Sequence, residues 1–258
     1  MKVVILCGGA GTRLREETEF RPKPMVNIGN RPILWHIMKI YSAYGFRDFI
    51  LCLGYKGEII KDYFLNYEAL NCDFTIELGN GKNLTLHNGH EEMNWRVTLA
   101  DTGEAAEKGA RLKKIEKYVD DEIFMMTYGD GVSDIDLEKL VEFHLSHGRL
   151  VTVTGINPVS RFGELKTQGN KVVKFKEKEE FGKSFVSGGF FVFGRGIFDY
   201  LADDDRCDLE IGPLERIAME GELMVYKHKG FWASMDTMRD TYYLNRLWNE
   251  NSAPWKIW

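Results

Sequence analysis

Apolar residues open the chain in one unbroken run, Val3 to Cys7, the pattern of a strand covered on both faces. The period then changes. Ile33, Leu34, Ile37, Met38, Tyr41 and Tyr44 recur at helical spacing, with Asn30 expected as N-cap, Pro32 in the first turn and Gly45 as the stop. Phe49 to Leu53 is apolar throughout and reads as the next buried strand. A helix is expected over Gly57 to Tyr67, a strand at Phe74 to Leu78, a helix around Leu112 to Tyr118 and a buried strand at Ile123 to Thr127. Gly79 to Asn83 separates Phe74–Leu78 from Leu84–His87, which predicts a hairpin. After Gly148 strands dominate: Leu150 to Ile156, Val172 to Lys176, Gly189 to Phe193 and Leu223 to Lys227, with a helix at about Gly212 to Glu220.

Strands alternating with helices predict an α/β fold with a mixed, mostly parallel, Rossmann-like central sheet flanked by helices. Ligands in such folds sit at the carboxyl ends of the strands. A length of 258 residues, 44% of them hydrophobic, suffices for a single large domain over 1–258.

The net charge of -5 provides no general attraction for nucleic acid, so any phosphate must be held by local groups on a small ligand. No apolar run reaches membrane-spanning length, and the opening run is too short for a signal peptide. Cys7, Cys52, Cys72 and Cys207 form no C-x-x-C pair and are expected to be reduced thiols of a cytoplasmic protein.

Candidate chemistry begins where the first strand ends. Gly8, Gly9 and Gly11 permit positive φ and close approach of backbone to a ligand, and Thr12 and Arg13 add donors, so the turn suits phosphate. A tight connection would also use glycines. The turn has neither the Lys-Ser/Thr ending of a P-loop nor the third glycine of the dinucleotide fingerprint, where Leu14 stands. Lys23 lies between Pro22 and Pro24, whose restricted φ is expected to hold that loop extended and present the lysine. Asp130, flanked by Gly129 and Gly131 after an apolar run, stands either in a turn or as a metal ligand.

Gly8-Gly9-x-Gly11-Thr12-Arg13-Leu14 followed by Pro22-Lys23-Pro24-Met25 resembles the opening of the sugar-1-phosphate nucleotidylyltransferases. The likeness continues through Gly54-Tyr55-Lys56-Gly57, Tyr128-Gly129-Asp130-Gly131, Arg161-Phe162-Gly163, Phe175-x-Glu177-Lys178, Gly188-Gly189-Phe190-Phe191 and Gly230-Phe231-Trp232-x-x-Met235-Asp236-Thr237. Asp101-Thr102-Gly103 through Arg111 is similar to the cytidylyltransferase version of the base-reading loop. The resemblance implies an enzyme that joins CTP and glucose 1-phosphate into CDP-glucose with release of pyrophosphate. It implies a nucleotide-binding half over 1–135 and a sugar-phosphate-binding half over 136–258.

The resemblance also distributes roles. Arg13, Lys23, Asp130 and Lys178 would be catalytic, and Asp130 and Asp236 would hold Mg²⁺; Asp236 also reads as a helix N-cap. Nucleotide contacts would come from Leu6, Cys7, Gly8, Gly9, Ala10, Gly11, Thr12, Arg13, Lys23, Thr102, Gly103, Arg111 and Gly129. Arg111 would touch base or phosphate, or close a helix end. Gly163, Glu177, Lys178, Gly188, Gly189 and Trp232 would face the sugar, with a strand bulge as the alternative for the glycines and core packing for Trp232. Trp248, Trp255 and Trp258 suggest a tail docked on the body or on another subunit of a homo-oligomer. Competing readings are thymidylyl or uridylyl transfer, and a non-catalytic sugar-nucleotide sensor.

Overall fold

The computed structural model describes residues 1–79, 83–92, 94–157, 164–168, 171–176 and 185–258. The opening apolar run forms β1 (Lys2–Leu6), buried at every position. A one-turn helix, α1 (Arg15–Thr18), and two short strands, β2 (Asn27–Ile28) and β3 (Arg31–Pro32), follow. Those strands pair with each other, so Arg31 and Pro32 are extended and α2 (Ile33–Ala43) starts later than an Asn30 cap would place it. After β4 (Asp48–Leu53), the expected single helix over 57–67 is two: α3 (Gly57–Leu65) and α4 (Tyr67–Asn71). Asn66 divides them, its side-chain amide donating back to the Asp62 carbonyl oxygen (3.0 Å), a local bond that competes with helix continuation.

β5 (Phe74–Glu77) and β6 (Asn83–Leu86) form the expected hairpin and, among the described residues, pair only with each other. β7 (Arg96–Asp101) escaped the pattern reading because it is an edge strand with a half-exposed face and no continuous apolar run. Next come α5 (Lys108–Lys114), β8 (Ile123–Tyr128), β9 (Gly131–Ser133) and α6 (Leu137–His147). The second half contributes β10 (Val151–Ile156), the paired β11 (Glu164–Gln168) and β12 (Lys171–Lys176), and β13 (Val186–Gly194). α7 (Glu215–Met219) begins later than predicted because Ile211 and Gly212 are non-helical. β14 (Leu223–Lys227), β15 (Trp232–Ser234) and α8 (Met238–Asn249) complete the order.

Seven strands build the main sheet in the order β14-β10-β13-β8-β1-β4-β7. β1 runs parallel to β4 and β8, β4 to β7 and β10 to β14, while β13 is antiparallel between β8 and β10. Strands of the second half therefore extend the sheet begun by the first. Alternation along β1 divides the core: Val3 and Ile5 pack with Ile37, Met38 and Tyr41 of α2, and Val4 and Leu6 pack on the opposite face with Leu112, Phe124 and Phe191.

The aromatic tail closes the first of these cores. Trp255 is fully buried, stacked on Phe231 at 5.5 Å, and Trp248 and Trp258 meet His36 and Trp35 edge-on. These tryptophans dock on their own chain, so their burial no longer argues for a subunit contact. Among the described residues, no helix is long and apolar enough to cross a membrane.

Candidate active site

The carboxyl ends of β1 and β8 open onto a cavity of about 430 Å³. Leu6, Cys7, Gly8, Gly9, Gly11, Thr12, Arg13, Lys23, Arg111, Gly129 and Asp130 line it, as the motifs suggested. Pro24, Ala106, Glu107, Lys108, Tyr128 and Glu210 line it too, and sequence reasoning missed them. Tyr128 sits within the Tyr-Gly-Asp-Gly motif and was within reach of that signal; Glu210 comes from a segment with no recognisable motif. Its carboxylate accepts from the Tyr128 hydroxyl (2.5 Å) and pairs with Lys108 (2.5 Å). Burial, followed by that carboxylate, pushes the Tyr128 phenol up from its ordinary value.

The three turn glycines have different reasons for being glycine. Gly11 has φ of 61°, and a Cβ there would lie 2.8 Å from Thr18 Cγ2 as the chain enters the turn Thr12–Leu14. Gly8 is not left-handed; a Cβ on it would overlap the Arg111 guanidinium. Gly9 borders open space.

Arg111 is almost wholly buried, and its terminal nitrogens serve the protein. Nη1 donates to the carbonyl oxygens of Leu53 and Gly103 and to Thr102 Oγ1, and Nη2 donates to the carbonyl oxygens of Gly8 and Glu104. The guanidinium thus fastens the glycine turn to the loop after β7. Thr102, buried, and Gly103, half-buried, support Arg111 and, like Ala10, do not line the cavity.

Lys23 occupies the centre of the charged end. Pro22 is extended as expected, but Lys23–Met25 is a 3-10 turn closed by Met25 N–H to the Pro22 carbonyl oxygen (2.8 Å). Its Nζ donates to Asp130 Oδ2 (2.6 Å) and Asp236 Oδ1 (2.7 Å), and Arg13 reaches the same Asp236 oxygen (2.9 Å). Burial disfavours the ammonium, but the two carboxylates outweigh it and raise the Lys23 pKa. Burial also opposes ionisation of Asp236, and Lys23, Ser234 and Arg13 overcome it, holding the carboxyl below its usual range.

Sheet pairing brings the two aspartates together. β9 follows Asp130 directly and pairs antiparallel with β15, Gly131 opposite Ser234, and Met235 N–H then donates to the Asp130 carbonyl oxygen (2.8 Å). The cap of α8 is Thr237, which forms a capping box with Asp240, so Asp236 is not spent on the helix.

On the second-half side, Gly188 and Gly189 lie at a bulge between β10 and β13, and a Cβ on Gly189 would lie 2.6 Å from Tyr128 Cδ2. Trp232 donates its indole N–H to the Gly188 carbonyl oxygen (2.7 Å) and packs against the first core. Neither glycine nor Trp232 lines the cavity. Gly163, Glu177 and Lys178 lie outside the described residues.

Asp236 does not itself line the cavity but is joined to it through Lys23 and Arg13. A glycine turn, a buried lysine and two aspartates converging on that lysine agree with the family comparisons. The family model described as nucleotidyl transferase matches residues 2–249. The glucose-1-phosphate cytidylyltransferase of Salmonella typhi is 49% identical over the full length of both chains, and the probable glucose-1-phosphate cytidylyltransferase of Bacillus subtilis is 44% identical, again over both in full. The chain belongs to the nucleotidyl transferase family. Among solved structures, HddC from Yersinia pseudotuberculosis superposes with a TM-score of 0.71 at 23% identity, covering 96% of this chain and 99% of that one. A UDP-glucose pyrophosphorylase bound to UDP-glucose gives 0.69 at 14% identity, covering 97% and 98%. These two likenesses establish the shared fold.

Proposed function

We propose that this nucleotidyl transferase moves CMP from CTP to α-D-glucose 1-phosphate, yielding CDP-glucose and pyrophosphate. The observation that carries the reading is the full-length identity of 49% to a glucose-1-phosphate cytidylyltransferase, in a chain whose cavity-lining Arg13 and Lys23 pair with Asp236 and whose Lys23 also pairs with Asp130. A phosphate oxygen of the sugar phosphate attacks the α-phosphorus, the bond to the bridging oxygen of pyrophosphate breaks, and the electron pair leaves with pyrophosphate. The nucleophile is already anionic, so no general base is required; the chain positions two polyanions and compensates their charge.

Lys23 and Arg13 are the cations beside the glycine turn. As the triphosphate enters, they exchange carboxylate partners for phosphate oxygens, which leaves Asp130 and Asp236 as two adjacent hard anionic oxygen donors. That donor set fits Mg²⁺. When bound, Mg²⁺ would be held by these two carboxylates and would draw charge from the reacting phosphate. Arg111 holds the glycine turn against the loop after β7, where the base is to be read. On the motif Phe175-Lys176-Glu177-Lys178 alone, Lys178 takes the sugar phosphate and Glu177 the sugar hydroxyls. The four free cysteines suit a reducing, cytoplasmic setting.

Pyrophosphate release with glucose 1-phosphate and Mg²⁺, offering CTP, UTP, dTTP, ATP and GTP in parallel, tests the reading. CTP should be strongly preferred; equal or better rates with UTP or dTTP would overturn the base assignment, and silence with all five would overturn catalysis. Asp130→Ala should lower turnover roughly 10²–10³-fold with circular dichroism unchanged. Undiminished activity in that variant rejects the metal role.

A further inference from the structure

Far from the glycine turn in sequence, α4 and the segment leaving β6 bring together three side chains of different ligand chemistry. Glu68 lies in α4 and Cys72 is the residue that caps its end, its backbone N–H donating to the Glu68 carbonyl oxygen (2.9 Å) one turn earlier. His90 arrives from the other direction, after the hairpin. A Glu68 carboxylate oxygen, Cys72 Sγ and a ring nitrogen of His90 all lie within 4.8 Å of one another, and His90 Nε2 stands 2.9 Å from Glu68 Oε2. A tetrahedral zinc ion, with bonds of about 2.0–2.3 Å, spaces its donors by roughly 3.5 Å. Small side-chain adjustments reach that geometry.

The far side of His90 adds a separate observation. The Glu92 backbone N–H donates to Nδ1 (3.1 Å), and Glu92 Oε2 lies 3.3 Å from the same nitrogen; this carboxylate is buried, with only 4% of its side chain exposed. Lys39 Nζ, 3.4 Å from Glu92 Oε1, holds it from behind, and Tyr67 meets the imidazole edge-on at 5.1 Å. A buried carboxylate on the second nitrogen of an imidazole is the arrangement that orients metal-binding histidines and sets their tautomer. None of these residues lines the catalytic cavity.

We infer that Glu68, Cys72 and His90 form a binding site for a zinc-class divalent cation, with Glu92 orienting His90. Cys72 ligates as the thiolate, its proton passing to solvent. An ion taken by the Nε2 lone pair would move the ring proton to Nδ1, which turns from accepting the Glu92 N–H to donating to the Glu92 carboxylate; Glu68 supplies one oxygen and water the fourth position. Thiolate and imidazole select zinc over magnesium, which prefers oxygen alone. The bound ion ties the exit of the β5–β6 hairpin to α4.

Co²⁺ serves as the probe, titrated into the full-length protein with excess Mg²⁺ present to occupy the oxygen site. One equivalent should produce a thiolate-to-cobalt charge-transfer band, and one equivalent of Zn²⁺ should remove it. Cys72→Ser should abolish the band while keeping pyrophosphate release and the circular dichroism spectrum. His90→Gln and Glu92→Gln should each weaken Zn²⁺ binding by about tenfold or more. Absence of the band, its persistence in Cys72→Ser, or Zn²⁺ affinity unchanged in His90→Gln overturns the site. These readouts use Mg²⁺-independent spectroscopy, so they stand or fall apart from the assignment of substrates.

Discussion

His36 is fully buried on α2, its Nε2 bonded to the Ile28 carbonyl oxygen (3.0 Å) and its Nδ1 facing the Trp255 indole N–H. Burial pushes its pKa down from 6.5 to about 4. Between those values the unfolded chain takes up a proton that the folded chain refuses. Stability from this residue is therefore complete above pH 6.5 and is lost as pH falls toward 4, by about 3 kcal/mol at most. His144, also buried and pushed to about 4, adds in the same direction. Denaturant midpoints measured from neutral to acid pH should fall across this window, and His36→Gln should flatten the slope. An unchanged slope in that variant would refute the assignment to His36.

Among the elements, α8 shows how a helix start serves a site. Thr237 Oγ1 accepts from Asp240 N–H while the Asp240 carboxylate accepts from Thr237 N–H (2.9 Å), and Asp236 stands immediately before this box. Thr237→Ala should cost about 1 kcal/mol of stability, seen as a lower urea midpoint. On the proposal that Asp236 helps hold Mg²⁺, the same variant should require more Mg²⁺ for half-maximal activity, because the carboxylate loses its anchored neighbour. The cap was partly legible: a helix beginning near Thr237 was expected, with Asp236 as its cap, a metal ligand or both, and the side-chain bonds were needed to place the cap at Thr237. At the other end of the chain, the Asn30 cap was misread because β2 pairs with β3, a contact that helical periodicity does not encode.

Across the whole molecule, the sheet runs unbroken through both halves, and the tail seals the face that carries α2. Trp255 fills the space beside Phe231 and His36, so Trp255→Ala should destabilise by about 3–5 kcal/mol. Thermal unfolding followed by near-ultraviolet circular dichroism checks this, and a melting temperature within a degree or so of the parent would refute tight docking of the tail. Sealing also explains how Trp255 is buried within its own chain, while Trp248 and Trp258 stay partly exposed beside it.

Local features were readable in the amino-acid order because local chemistry produces them. An apolar run of five makes a strand buried on both faces, glycines after it make a turn at the strand's carboxyl end, and Asp130 between glycines emerges beside that turn. Arg13, Lys23 and both aspartates were identifiable from motifs. Folding alone gave them their partners. The pairing of Gly131 with Ser234 carries Asp236 to Asp130, and Lys23 bridges the two. Gly8 is glycine because Arg111, remote in sequence, passes beneath it, and Glu210 enters the cavity from a segment without a motif. Each of these depends on strand register and side-chain contact between distant segments, which no periodicity along the chain records.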